Sequence, residues 1–338
     1  MNLSPWQRRI FDAAMQSHAQ NRLGHALLLS GPPNLGKHQV AEAIAQRLLC
    51  KAPRNDGFAC GACRSCQLFP AQQIGLSVTQ AHPDLQRIGL EPNDKGDKLR
   101  TEISIDQVRR LGQWFSLTPQ LGGPQVAVIE PADLMNASSG NALLKTLEEP
   151  APNRFLLLVT SRPGRLPATI RSRCQRLEFR LPSPDEALQH LASQGLSGPE
   201  ALAALSAARG NPGLAAAWLR DGAVQLRGEV IENLNAVGSG KTGPVEMAQR
   251  WLADENAELR LRFAAELALE AAASPFQRPL AGRSMLTAPG DFSTISKWFD
   301  SINRTREQLR APLRNDLVLA GLLREWRTMF EAGRPGGR

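Results

Sequence analysis

In the first half of the chain, apolar positions form short unbroken runs separated by helical patterns. The runs "HALLLSG" (25–31), "QVAVIEPAD" (125–133) and "RFLLLVTS" (154–161) each contain a continuous apolar stretch. That pattern predicts strands covered on both faces. "PDLQRIGL" (83–90) and "RLEFRL" (176–181) give weaker strand signals. Between them, "HQVAEAIAQRLLC" (38–50) places Val40, Ile44 and Leu48 on one helical stripe. "SIDQVRRLGQWFSL" (104–117) predicts a helix with Ser104 as its N-cap, and "NASSGNALLKTLEEP" (136–150) a helix stopped by Pro150. Strands alternating with helices imply a parallel sheet with helices on both faces.

After "LPSP" (181–184) the strand signal ends. Three short helical patterns follow: "DEALQHLAS" (185–193), "GPEALAALSAARG" (198–210) and "PGLAAAWLRDG" (212–222). From 223 to about 332 the pattern is helical throughout, except for "SPFQRPLAGRSMLTAPGDFS" (274–293), whose Pro and Gly content predicts a loop. The expected plan is one α/β domain (1–180), a small helical domain (181–221) and a larger helical domain (222–338).

The first strand and helix frame a glycine loop, "GPPNLGKH" (31–38). Gly31, Gly36 and Lys37 fit the phosphate-loop pattern G-x-x-x-x-G-K-[ST]. In such a loop, backbone amides and a helix N-terminus cradle phosphate oxygens, and the lysine reaches the terminal phosphates. The next residue should carry a hydroxyl for Mg²⁺, a hard ion that prefers oxygen. Here it is His38. A second ATPase element, an acidic strand end, is Glu130 followed by Pro131, which has no carboxylate to activate water. Asp133 lies past the strand end. Nucleotide binding therefore stays open, while hydrolysis by this chain is not expected.

Cys50, Cys60, Cys63 and Cys66 follow the loop helix as C-x₉-C-x₂-C-x₂-C. Two-residue gaps let cysteines turn around one ion, and four thiolates satisfy tetrahedral zinc. An iron–sulfur cluster is the alternative, but Cys66 is followed by Gln67 rather than by the Pro of the bacterial ferredoxin run. With no open coordination position, the expected role is structural. The fifth cysteine, Cys174, sits in "TIRSRCQRL" among Arg171, Arg173 and Arg176. These arginines read either as surface positives or as a finger for a neighbour's phosphate.

Charge and composition add little. The net charge of +8 permits contact with phosphate backbones, but the basic residues are scattered. The N-terminal stretch has no apolar signal core, and no apolar run is long enough to span a membrane. The expectation is a soluble cytoplasmic chain.

Taken together and in this order, "GPPNLGK", the cysteine module after the loop helix, "NALLKTLEEP" and "TIRSRCQ" resemble the delta-prime subunits of bacterial DNA polymerase III clamp loaders, within the AAA+ family. The similarity covers residues 1 to about 220 well; the rest matches in helical character and size. The resemblance implies a RecA-like AAA+ P-loop domain with the zinc module, a helical lid and a helical collar that joins five subunits in a ring. It implies partners: the gamma/tau motor subunits, the delta subunit, and, through the complex, the sliding clamp and primed-template DNA. It gives Arg173 the role of an arginine finger in trans and places Thr160 at the family's sensor-1 position. Active relatives carry a sensing arginine in the lid where this chain has Gly213. The implied function is a non-catalytic stator subunit. The alternatives are an active AAA+ motor and, further off, a zinc-stabilised DNA-binding module.

Overall fold

The computed structural model describes residues 3–74, 77–93, 95–273, 292–309 and 314–332. The expected loop at 274–293 lies outside the described residues, except for its last two. The chain gathers into two compact units, Met1–Ser197 with Leu205–Ala215, and Gly198–Ala204 with Ala216–Arg338.

The first unit is built on a parallel sheet. In chain order its elements are α1 (Pro5–Ala19), β1 (Ala26–Ser30), α2 (Lys37–Leu49), α3 (Arg64–Leu68), β2 (Ala71–Ile74), β3 (Ser77–Gln80), β4 (Leu85–Ile88), α4 (Ile105–Phe115), β5 (Gln125–Ile129), α5 (Ala137–Glu148), β6 (Arg154–Thr160), α6 (Ala168–Arg171), β7 (Gln175–Glu178) and α7 (Pro184–Ser193). The strand order is β4-β5-β6-β1-β7, and β2 and β3 form a separate antiparallel pair. In register, Leu28 of β1 faces Leu158 of β6 and Arg176 of β7. Every residue of β1 and β5 is buried. Side chains alternate between faces along a strand. Leu27, Leu29, Val126, Val128, Leu157 and Val159 pack with Phe11 of α1 and Val40, Ile44 and Leu48 of α2. Ala26, Leu28, Ala127, Ile129, Leu156 and Leu158 pack on the other face with Val108 and Leu111 of α4 and Leu143 and Leu147 of α5. Each buried Leu contributes about 1.5–3 kcal/mol. The unbroken apolar runs thus follow from two cores, one per face.

Local signals set the helix ends. Ser104 caps α4, accepting the Gln107 amide, while the Gln107 side chain accepts the Ser104 amide. Asn136 caps α5 through Ser139. Residues 91–93 pair with residues 98–100: Pro92 bridges Leu99, the Asn93 amide donates to Lys98 and the Arg100 amide to Glu91.

The N-terminal helix α1, which the sequence pattern did not single out, braces this unit. The Arg9 guanidinium pairs with Glu186 of α7 at 2.5 Å, and Ser4 Oγ lies 2.9 Å from His190 Nδ1. Trp6 meets the His190 ring edge to face at 4.9 Å.

Two further helices, α8 (Pro199–Ala207) and α9 (Pro212–Arg220), are each divided between the two units, and five helices of the second unit follow among the described residues. These are α10 (Ala223–Ser239), α11 (Pro244–Trp251), α12 (Ala257–Ala273), α13 (Phe292–Gln308) and α14 (Asn315–Ala332). Trp251, Trp298, Trp326 and Phe263 are fully buried in this unit. The Trp298 and Trp326 rings lie 4.3 Å apart. Their indole N–H groups donate to Leu322 O and Leu234 O, so neither is buried unpaired.

Candidate functional site

The glycine loop joins β1 to α2 as expected from a strand–loop–helix pattern. Gly31 has φ 145°, and a Cβ there would lie 2.3 Å from Phe179 O. Gly36 adopts a left-handed conformation, φ 79°, at the N-cap of α2. The first-turn amides of α2 have no intrahelical acceptor, which is the donor set a phosphate needs. Lys37 is buried, and its Nζ donates to Gly31 O (3.0 Å) and Pro32 O (2.6 Å). Burial lowers its pKa from the ordinary value.

The loop is also held from outside. Trp6 Nε1 and Gln7 Nε2 both donate to Leu35 O at 3.1 Å. The buried Asn211 donates from Nδ2 to Pro33 O at 2.9 Å and caps α9 by accepting the Leu214 amide. At Gly213 a Cβ would lie 1.8 Å from Asn34 O. Gly213 therefore sits where no side chain fits: the backbone of the GNPG turn (210–213) rests directly on the phosphate loop. The family resemblance marked this residue only as a missing arginine.

The His38 side chain is exposed but has a partner. Its Nδ1 lies 2.5 Å from Glu130 Oε2. That hydrogen bond raises the imidazole pKa. The residue in the hydroxyl position and the carboxylate at the strand end thus bind each other. Mg²⁺ wants hard oxygen ligands in near-octahedral array. Here an imidazole takes one position and engages the carboxylate of the other, so these residues do not fit that ion. Pro131 follows through a cis peptide bond.

Asp133 is not a loose residue past a strand end; its side chain is 3% exposed. It accepts Thr160 Oγ1 at 2.6 Å and Arg162 Nε at 2.8 Å. Thr160 Oγ1 in turn accepts the Arg162 amide at 2.9 Å. Thr160, at the end of β6, therefore spends its hydroxyl on a neighbouring carboxylate.

The four cysteines converge. Cys50 is the C-cap of α2 and Cys63 the N-cap of α3. The Sγ atoms of Cys50, Cys60, Cys63 and Cys66 all lie within 4.8 Å of one another, with Cys60 and Cys66 3.9 Å apart. A tetrahedral ion with metal–sulfur bonds of about 2.3 Å spaces its sulfurs about 3.8 Å apart. The backbone amides of Cys63 and Ala62 donate to Cys60 Sγ and lower its pKa, as a thiolate ligand requires. These residues could hold a metal ion.

Two contacts anchor the cluster. Phe58 stacks on Phe11 of α1 at 4.7 Å under the guanidinium of Arg8. Ser65 Oγ lies 2.7 Å from Nε2 of the buried His82. The Asp84 amide donates to His82 Nδ1 at 3.0 Å, so the ring proton sits on Nε2 and points at Ser65. That tautomer cannot take a proton from Ser65, and the Asp84 carboxylate is engaged by the Gln120 and Leu121 amides instead. The trio is a strut, not a nucleophile.

Arg173 lies just beyond α6, with its side-chain partners on α5 and α6. Its Nη2 meets Glu148 Oε1 at 2.8 Å and its Nη1 donates to Thr169 O at 2.9 Å. Its side chain is 38% exposed. Cys174 is buried in the core between the sheet and α5.

A phosphate loop after the second-to-edge strand of a five-stranded parallel sheet, beside a buried polar residue at the end of the neighbouring strand, defines a P-loop domain of the AAA+ type. The family model described as "DNA polymerase III, delta subunit" matches residues 6–183. The delta-prime subunit of DNA polymerase III from Pseudomonas aeruginosa is 37% identical over 252 residues, covering 74% of this chain and 71% of that protein. Its counterpart from Escherichia coli is 34% identical over 274 residues, covering 80% and 76%. Among solved structures, a gamma subunit-related protein from Thermotoga maritima aligns over 96% of this chain and 98% of its own, with 17% identity and a TM-score of 0.47. The chain belongs to the delta-prime family of DNA polymerase III subunits. Among the described residues, no helix is long and apolar enough to cross a membrane.

Proposed function

We propose that this chain is the stator of a clamp loader: it turns over no ATP itself and supplies Arg173 in trans to the ATP site of a neighbouring motor subunit. In this reading residues 1–180 form the AAA+ module, 181–221 the lid and 222–338 the collar of a five-membered ring with gamma/tau-type and delta subunits. The ring would load the sliding clamp onto primed DNA in the cytoplasm. The observation that carries the reading is the His38–Glu130 pair: an imidazole stands where a hydroxyl would face Mg²⁺, and it engages the strand-end carboxylate. The seating of Gly213 on the loop supports it, because the lid has no room there for a sensing arginine. The ion in the cysteine cluster is zinc in this proposal, held by Cys50, Cys60, Cys63 and Cys66 as a structural centre; it ties the end of α2 to the start of α3.

Within the reading, the chemistry belongs to the neighbour's site. A guanidinium offers planar N–H donors and a fixed charge to the oxygens of a transferring phosphoryl group. Negative charge accumulates there in the transition state, so one arginine inserted from outside accelerates transfer. The phosphate loop of this chain keeps its lysine, and nucleotide binding without turnover is compatible with the proposal. The alternative, an active motor, draws only on Lys37 and predicts turnover by the isolated chain.

The test is ATPase measurement on the chain alone and on the complex with its motor partner, for wild type and Arg173→Ala. The expected result is no turnover by the chain alone, and a slower but fully assembled complex for the variant. Robust hydrolysis by the chain alone would replace the stator by the motor. An unaffected complex would remove the finger.

A further inference from the structure

The backbone under Arg173 is fixed by apolar packing. Ile170 of α6 is fully buried, and together with Leu166 and Cys174 it joins Leu143 and Leu147 of α5 in one core. α5 and α6 also meet at Gly140, where a Cβ would lie 3.6 Å from Ile170 Cδ1 and 3.7 Å from Pro167 Cγ, ordinary packing distance. Glu148, the last residue of α5, is thereby carried to the same place as Arg173. Its carboxylate takes Nη2 at 2.8 Å while Thr169 O takes Nη1 at 2.9 Å. The hydrogen bond to Thr169 O and the charge of the Glu148 carboxylate beside Nη2 together hold the guanidinium in place. With Glu148 removed, only one anchor remains and the long side chain regains rotamer freedom.

We propose that Glu148 is the positioning residue of Arg173, holding the guanidinium in the orientation in which it is offered to a phosphate on the neighbouring subunit. The proposal rests on the trans-finger reading of Arg173. Glu148 touches no reacting atom; it acts through Arg173 alone. An exposed ion pair of this kind is worth little to folding but is enough to bias a side-chain orientation.

The experiment is ATP turnover of the reconstituted complex for wild type, Glu148→Ala, Glu148→Gln, Arg173→Ala and the Glu148→Ala/Arg173→Ala double variant. Glu148→Ala is expected to lower kcat about two- to five-fold at unchanged KM for ATP. Glu148→Gln, which keeps an acceptor oxygen, is expected to fall between it and wild type. The double variant is expected to match Arg173→Ala. The melting point of the chain and assembly of the complex are expected to stay as in wild type, since both side chains are half-exposed. The proposal is overturned if Arg173→Ala slows the complex while Glu148→Ala does not. It is equally overturned if the double variant is slower than Arg173→Ala by the factor of Glu148→Ala alone. An Arg173→Ala complex with wild-type turnover would instead remove the finger reading beneath it.

Discussion

Gly213→Ala adds one methyl group, yet a severe effect is expected. The new Cβ would lie 1.8 Å from Asn34 O, 2.9 Å from Asn34 C and 3.2 Å from Asn34 Cβ. Two of these are backbone atoms of a loop that Trp6, Gln7 and Lys37 hold in place, so no flexible side chain can swing aside. The GNPG turn must lift. Lifting breaks the 2.9 Å bond from Asn211 to Pro33 O and uncovers a buried amide. Overpacking costs about 1–3 kcal/mol, and a buried donor left without a partner another 1–3 kcal/mol. A loss of about 3 kcal/mol follows. In a unit of about 200 residues each kcal/mol moves the midpoint by about 2–4 °C, so calorimetry should show a drop of about 6–12 °C. Gly213→Arg is expected to be at least as damaging and to bring no ATP turnover. A Gly213→Ala chain that melts with wild type would refute the steric argument. A stable Gly213→Arg chain that hydrolyses ATP would refute the reading of the lid.

Other parts of the site make separate predictions. Metal analysis of the purified chain is expected to find about one zinc per chain, and Cys63→Ser or a strong chelator to release it and lower the melting point; a coloured, redox-active preparation would instead signal iron and sulfur. Because its bond to Glu130 raises the His38 pKa above the ordinary 6.5, the pair adds stability below that value and loses it as the pH climbs through the folded pKa. An NMR titration should place His38 above 6.5, and Glu130→Gln should bring it back down; an unshifted wild-type imidazole would contradict the pairing. Asp133→Ala leaves the buried Thr160 hydroxyl without its acceptor and is expected to cost about 2–4 kcal/mol in urea unfolding; a change below about 0.5 kcal/mol would show that the Thr160–Asp133–Arg162 contact contributes nothing.

The sequence by itself determined the sheet and much of the donor chemistry. A run such as Leu27–Leu28–Leu29 has no polar face, so it had to be covered on both sides, and it is: Leu27 and Leu29 on α1 and α2, Leu28 on the opposite layer. The cap at Ser104 was legible because it acts within three residues. The cysteine spacing was legible for the same reason, three of its four members lying within one short loop and helix turn. What only the tertiary structure decided was how distant residues spend their polar atoms. His38 and Glu130 are 92 positions apart and were read separately, one as a departure and the other as a strand-end carboxylate; in space they bind each other. Asp133 looked peripheral and is the buried acceptor for Thr160 and Arg162. Gly213, which the resemblance marked as a missing arginine, is a close contact with a backbone 179 positions earlier. Periodicity and motif spacing record what a residue does with its neighbours in the chain. A hydrogen bond or a steric contact across the fold leaves no such trace, because its geometry exists only once the layers have packed.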